Sequence, residues 1–457
     1  MNEIVVRAPF DGAEVGRLPR PSAAEIEAAV ARAAAAFEET RSLPTFVRVG
    51  ILRRVAAALE ARRDALGRTI AAEAGKPLRA ARTEAERAAA TFSAAAAALE
   101  AWKGEMLPLD VNAASVARWG VVKRVPLGPV LAITPFNFPL NLTAHKVAPA
   151  IAVGAPVVQK PASQTPLSAL ALRAIVLEAG WPADAYAVLA IPGGEAEALV
   201  KDPRLPVVSF TGSGAVGWRL KELAPRKRVG LELGGNAAAV VHADADLDDA
   251  ASRVAAGAFG YAGQSCISVQ RTLVHRSVFE AFRARLAAKT AALAAGNPLD
   301  EKTDVGPMIT PAEAERAAAW IAEAVAGGAT VLAGGTRSGS VVAPTILEGT
   351  SRAMKVEAQE VFAPIVTLAA YDTWDEALAR VNDSKYGLQA GIFTKDVGRI
   401  QRAFDLLEVG AVLVNDVPTW RADRMPYGGV KESGTGREGP AYAMEEFTEP
   451  RLLVLRP

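Results

Sequence analysis

Val207-Val-Ser-Phe-Thr-Gly-Ser-Gly-Ala-Val-Gly217 is an apolar run of strand length that breaks into three glycines and opens a helical stretch. A second run, Val229-Gly-Leu-Glu232, follows and ends on Leu233-Gly-Gly-Asn236. Strand, glycine turn, helix and strand make the repeating unit of a parallel sheet. Working outward, further apolar runs at 130–133, 156–159 and 186–190 alternate with helical stretches at 142–153, 166–179, 195–201 and 215–223. This alternation predicts a doubly wound parallel sheet. A second alternating set spans 237–414, with strands expected near 238–241, 269–274, 364–370 and 389–393.

Upstream, residues 22–105 carry Ala, Leu and Ile with Arg and Glu at helical spacing, broken at Pro44 and at Gly75-Lys76-Pro77, which predicts three helices. Residues 115–127 alternate loosely between apolar and basic, as an antiparallel ribbon exposed on one face would, and 447–455 reads as a terminal edge strand. The expected fold class is therefore α/β. Residues 1–110 and 128–233 would form a dinucleotide-binding domain of the doubly wound kind, 234–434 a second α/β domain, and 111–127 with 435–457 segments that pair outside their own domain.

Bulk composition narrows the functions available. The 457 residues hold 51 Lys and Arg against 50 Asp and Glu, with no long block of one sign, which argues against nucleic acid or an anionic membrane as the main partner. The first ten residues lack a basic stretch followed by an apolar one, and the Ala-rich stretches are interrupted by charge, so a soluble, cytoplasmic protein is expected. Three scattered histidines and one cysteine offer no cluster with zinc-ligand spacing, so no catalytic metal is expected.

Ligands of open α/β sheets bind beyond the carboxyl ends of the strands, so strand-terminal motifs carry the most information. Thr134-Pro-Phe-Asn-Phe-Pro-Leu-Asn141 follows the first strand and holds Asn137 on a stiff turn. Val157-Val-Gln-Lys-Pro-Ala-Ser163 ends a strand on Lys160. The glycines 212, 214 and 217 match G-x-G-x-x-G, with Glu232 at the spacing of a ribose-binding acid, but they close a later turn instead of the first. The safer reading is a phosphate at a helix N-terminus. The only thiol, Cys266, lies in Gly263-Gln-Ser-Cys-Ile-Ser268. A lone thiol cannot form an internal disulfide, which leaves a buried hydrophobe or a nucleophile. Read alone, Asn137 fits a helix cap as well as a donor, and Glu232 a paired strand end.

Seven motifs in order resolve these alternatives: Pro135-Phe-Asn-Phe-Pro139, Lys160-Pro-Ala, Phe210-Thr-Gly-Ser213, Glu232-Leu-Gly-Gly-Asn236, Gly263-Gln-Ser-Cys266, Glu360-Val-Phe362-Ala-Pro364 and Pro426-Tyr-Gly-Gly-Val-Lys431-Glu-Ser-Gly. Across nearly the whole chain they resemble the aldehyde dehydrogenase superfamily. The resemblance implies Cys266 as nucleophile, Glu232 as general base and Asn137 as oxyanion donor. It implies a nucleotide site of Thr134, Pro135, Phe136, Lys160, Ser163, Gly212, Ser213, Val216, Leu233, Gly234, Glu360 and Phe362. Phe138, His145, Trp420 and Arg421 are the implied substrate contacts, with Arg424 nearby.

The expected reaction is oxidation of an aldehyde to a carboxylic acid through a cysteine thiohemiacetal and thioester, with NADP or NAD as acceptor. Ser163 occupies a position where many NAD-preferring members carry glutamate. A serine there tolerates the 2′-phosphate that a carboxylate would repel, so NADP should be accepted. The polar candidates His145, Trp420 and Arg421 point to a small polar or anionic substrate, a semialdehyde or hydroxyaldehyde. A CoA-acylating relative is the main alternative, and Glu232 speaks against it because such relatives commonly lack that glutamate. The family's assembly implies a homodimer or homotetramer.

Overall fold

A computed structural model describes residues 3–456. The helical layer holds four helices, Ala23–Ser42, Thr45–Ala61, Arg63–Ala74 and Leu78–Glu100, not the three expected. The missed break is at Arg62, which ends one helix and precedes the next with φ −105° and ψ 14° and carries no Gly or Pro to signal it. The first helix opens on a capping box: Ser22 Oγ accepts from the Glu25 N–H, and the Glu25 carboxylate accepts from the Ser22 N–H at 2.8 Å. An N-terminal hairpin, Glu3–Arg7 with Glu14–Pro19, was not legible in the sequence.

The first large sheet runs, edge to edge, through Gly434–Thr435, Arg228–Glu232, Val207–Thr211, Val130–Ile133, Val157–Lys160 and Tyr186–Val188. All neighbours are parallel except the first pair. From Val130–Ile133 the chain first winds to one side and then returns to the other, so the strand order reverses between Val130–Ile133 and Val207–Thr211. That reversal opens a crevice beyond the carboxyl ends of these two strands. The turns at 134–140 and 212–213 flank it.

The second sheet has seven strands in the order Thr330–Ala333, Thr345–Glu348, Ile365–Tyr371, Val269–His275, Ala237–Val241, Gln389–Phe393 and Ala411–Val414, parallel apart from its first pair. Each sheet has a core of its own, the first shared with the four helices. Residues 233–236 cross directly from the last parallel strand of the first sheet to a central strand of the second, so Glu232 stands at the junction.

Glu105–Pro108, Trp119–Pro126 and Thr448–Leu455 form an antiparallel ribbon whose apolar residues Met106, Leu452 and Leu453 are exposed. The stretch expected at 435–457 as one pairing segment is divided. Gly434–Thr435 extends the first sheet, and Pro440–Glu446 packs against the helix Asn141–Val153, because Ala443, Met444 and Phe447 give it an apolar face that the first core takes in. Only Thr448–Leu455 joins the ribbon. Among the described residues no helix is long and apolar enough to cross a membrane.

Candidate active site

Cys266 sits on a loop forced into an unusual shape. Tyr261, Ala262 and Gly263 all adopt left-handed backbone (φ 52°, 53° and 65°), which costs about 1–3 kcal/mol at each non-glycine position and persists only where surroundings over-determine it. They do so here. Tyr261 Oη donates to the Ala74 carbonyl at 2.9 Å, and the buried Gln264 side chain donates to the Pro307 carbonyl at 3.2 Å while accepting from the Ile309 N–H at 2.8 Å. A Cβ on Gly263 would collide with the Ala363 carbonyl.

Asn137 closes the loop from the first sheet: its Nδ2 donates to the Gln264 carbonyl at 3.0 Å. One amide hydrogen remains for another acceptor. Next to it, a buried ion pair of Lys76 and Glu84 fixes the turn, since Glu84 Oε1 accepts from the Leu140 N–H at 2.9 Å and the Asn141 N–H at 3.1 Å. Lys76 Nζ lies 3.6 Å from the centroid of the half-buried Phe138 ring, which meets Tyr261 edge-on.

The sulfur of Cys266 has the Tyr427 hydroxyl at 3.0 Å and apolar Ile267, Leu388 and Met425 around it. Burial pushes the thiol up to about 12, with the Tyr427 hydrogen bond acting in the opposite direction. Arg421, nearly fully buried, holds its guanidinium carbon 3.7 Å from the Tyr427 ring centroid.

Glu232 is buried, and among the described residues its Oε2 has no hydrogen-bonding partner. Burial first and the charge of Glu438 second push its carboxyl well above the ordinary range. Burial resists ionisation of Glu438 too, but Lys146 at 2.9 Å and Arg421 at 3.2 Å outweigh it and pull Glu438 down to about 2. Of the two carboxyls Glu232 therefore holds its proton to the higher pH. Both carboxyls border a cavity of about 20 Å³, space for one water.

His145 is buried in the same network. Its Nε2 lies 3.0 Å from Asp423 Oδ1 and its Nδ1 3.3 Å from Arg421 Nη2. Burial, then the charge of Arg421, lowers its pKa to about 4, so the ring is neutral, and Arg421 Nη2 also stands 3.2 Å from Nε2, set against both ring nitrogens. Arg87 grips Asp423 with two hydrogen bonds of 3.1 and 2.8 Å. Trp420 and Arg424 lie outside this network, on the exposed part of the same loop.

The crevice at the strand reversal meets the needs of a dinucleotide. Ser213 caps the ten-residue helix Gly214–Leu223 with its hydroxyl unbonded to that helix, and Val216 is exposed on the first turn. A free helix N-terminus attracts phosphate. Gly212 and Gly217 pack against the Phe210 ring, and Gly217 also against Leu233. Lys160 is buried, with its pKa lowered by burial alone and no carboxylate offsetting it. Thr134 Oγ1 accepts from Gln159 Nε2 at 3.2 Å beneath the half-buried Pro135 and Phe136, and Ser163 is exposed in the turn after Lys160. At the far end Phe136 meets Phe362 edge-on at 5.9 Å. Glu360 is pushed up to about 7 by burial and accepts from the Gly235 N–H at 3.0 Å, where a side chain on Gly234 would strike it. An unpaired cation, a helix N-terminus, a ring pair and a buried carboxyl suit adenosine ribose, pyrophosphate, nicotinamide and its ribose in turn. Among the described residues no cluster of His, Cys, Asp and Glu is arranged to hold a metal.

Lys76, Glu84, Arg87, Lys146, Asp423, Tyr427 and Glu438 went unread as site residues in the sequence. A signal for Lys146 was present: Asn141–Val153 is apolar all round, and a charge in such a helix must be paired inside the protein.

The family model described as "Aldehyde dehydrogenase family" matches residues 1–453. The chain is 46% identical over 432 residues to the 3-sulfolactaldehyde dehydrogenase of Priestia aryabhattai, covering 94% of this chain and 90% of that protein. The crystal structure of aldehyde dehydrogenase 21 from Physcomitrella patens, in complex with the reaction product succinate, superposes with a TM-score of 0.97 at 40% identity, covering 99% of this chain and 95% of that one. The glyceraldehyde-3-phosphate dehydrogenase of Methanocaldococcus jannaschii, complexed with NADP, gives 0.96 at 37% identity with all of both chains covered.

Proposed function

The chain belongs to the aldehyde dehydrogenase family, and from that premise we propose that it oxidises a short anionic aldehyde to the carboxylic acid on Cys266, with NADP or NAD as acceptor. The observation that carries this reading is the bond from Asn137 to Gln264, which seats an amide donor on the loop that presents the thiol.

In the proposed reaction the Cys266 sulfur adds to the carbonyl carbon. The developing oxyanion is met by the second Asn137 amide hydrogen and the Cys266 backbone N–H. Thr134, Pro135, Phe136, Lys160, Ser163, Gly212, Ser213, Val216, Leu233, Gly234, Glu360 and Phe362 would hold the nucleotide, which when bound would supply the acceptor for the hydride lost as the adduct collapses to a thioester. Glu232 then takes a proton from the water that attacks the thioester, the acid departs and the thiol is restored. The raised pKa makes the ionised Glu232 carboxylate a stronger proton acceptor.

Charge bookkeeping around Arg421 favours an anionic substrate. Arg87, Lys146 and Arg421 are cationic, Asp423 and Glu438 are ionised acids held by them, and His145 is neutral. Those five ionised groups leave one positive charge over. The relatives named above for sulfolactaldehyde and for a succinate product agree with that sign.

The two sheets would divide the work, the six-stranded one with its helices holding nucleotide and the seven-stranded one carrying Cys266. The exposed ribbon would join subunits of a homodimer or homotetramer. A lone thiol fits the reducing cytoplasm. Product analysis tests the class: free acid formed one for one with reduced nucleotide, without CoA, is expected, and a strict CoA requirement would reject hydrolysis by Glu232.

A further inference from the structure

A hydroxyl buried among apolar side chains destabilises the fold unless it is hydrogen-bonded, and a phenylalanine at 427 would fill nearly the same volume without that cost. Tyr427 is 3% exposed, and its hydroxyl has one partner among the described residues, the Cys266 sulfur at 3.0 Å. Its position is fixed from behind. The Tyr427 N–H donates to the Glu438 carbonyl at 3.0 Å, the Glu438 N–H donates back at 2.6 Å, and the Glu438 side chain holds Arg421 over the Tyr427 ring. A guanidinium on the ring face draws density from the phenol and makes its O–H a stronger donor. Burial keeps that phenol protonated, since its pKa is raised well above the ordinary value. Either group can donate while both are protonated, but once the sulfur is a thiolate only the tyrosine can. Ile267, Leu388 and Met425 pack in the same cluster and offer a thiolate no hydrogen bond.

We propose that Tyr427 is a catalytic residue whose hydroxyl, polarised by Arg421, hydrogen-bonds the Cys266 thiolate and raises the fraction of sulfur ready to attack. The proposal rests on Cys266 being the nucleophile. Its size is bounded by two opposed effects. A charge-assisted hydrogen bond increases thiolate about tenfold at a fixed pH below the thiol pKa. A stabilised thiolate is also a weaker nucleophile, with a Brønsted slope of about 0.4–0.5, so the net gain is about threefold.

The test is the rate of Cys266 alkylation by iodoacetamide, without cofactor, from neutral to alkaline pH in wild type and Tyr427→Phe, with thermal unfolding confirming equal folding. The reagent reads the thiol itself, and Cys266→Ser supplies its blank. The expected result is a rate lower by about threefold throughout the rising limb, with kcat for aldehyde falling in parallel. Arg421→Met, which keeps the hydroxyl, should lose less. Unchanged profiles, or faster alkylation in Tyr427→Phe, would overturn the proposal. If instead Cys266→Ser still oxidised aldehyde, the nucleophile assignment would fall, and that outcome is read separately from the alkylation rate.

Discussion

Glu232 and Glu438 border one cavity and their proton affinities are pushed apart: Glu438 is ionised between Lys146 and Arg421, and its charge helps raise the pKa of Glu232. Replacing Glu438 by Gln removes that repulsion and leaves two cations nearby, so the Glu232 pKa falls. The acid limb of kcat should move to lower pH by about one unit or more. Breaking the buried pair should also cost about 3–5 kcal/mol of stability, read as a lower Tm. An acid limb that does not move would mean that Glu232 is not the group titrating in turnover.

Asn137→Ala removes an oxyanion donor and the bond to Gln264 together. Its kcat should fall by about 10²- to 10³-fold. Nucleotide binding, measured by fluorescence titration, should be unchanged, because the groups proposed for the phosphates and ribose lie elsewhere. A loss of nucleotide affinity of the same size would assign Asn137 to structure.

Ser163→Glu places a carboxylate three residues after the buried, unpaired Lys160. The ratio of kcat/KM for NADP to that for NAD should drop by about tenfold or more, equivalent to about 1.4 kcal/mol. In wild type, a preference for NAD of about tenfold or greater would contradict the reading of Ser163.

Arg421→Gln should lower kcat/KM for an anionic aldehyde such as succinate semialdehyde by about tenfold relative to butanal, a neutral aldehyde of equal carbon number. The ratio isolates charge recognition, since any effect through Tyr427 acts on both substrates. Equal losses on the two would leave Arg421 as a structural cation of the Glu438 and His145 network.

Much of the fold was legible because it rests on local pattern. The strands at 130–133 and 207–211 announce themselves as apolar runs closed by Pro or Gly, and their turns carry residues proposed for the nucleotide. What stayed hidden depends on pairing between distant positions. Asp423 gains meaning only when folding brings Arg87 and His145 onto it, and Glu438 only beside Lys146. In sequence each looks like an ordinary surface charge. Arg62 ends a helix with no breaker residue, and Pro440–Glu446 was taken with the ribbon because its apolar face is one short turn long. Tyr427 lay inside a recognised motif, yet the value of its hydroxyl appears only once the ring is set against Cys266 and Arg421.

The sharpest measurement is nucleotide reduction by Cys266→Ser with the preferred aldehyde. A hydroxyl in place of the thiol is a far poorer nucleophile near neutral pH, so kcat should fall by at least about 10³-fold while the protein remains folded and binds nucleotide. Oxidation continuing at the wild-type rate would contradict acyl transfer through the chain's only thiol.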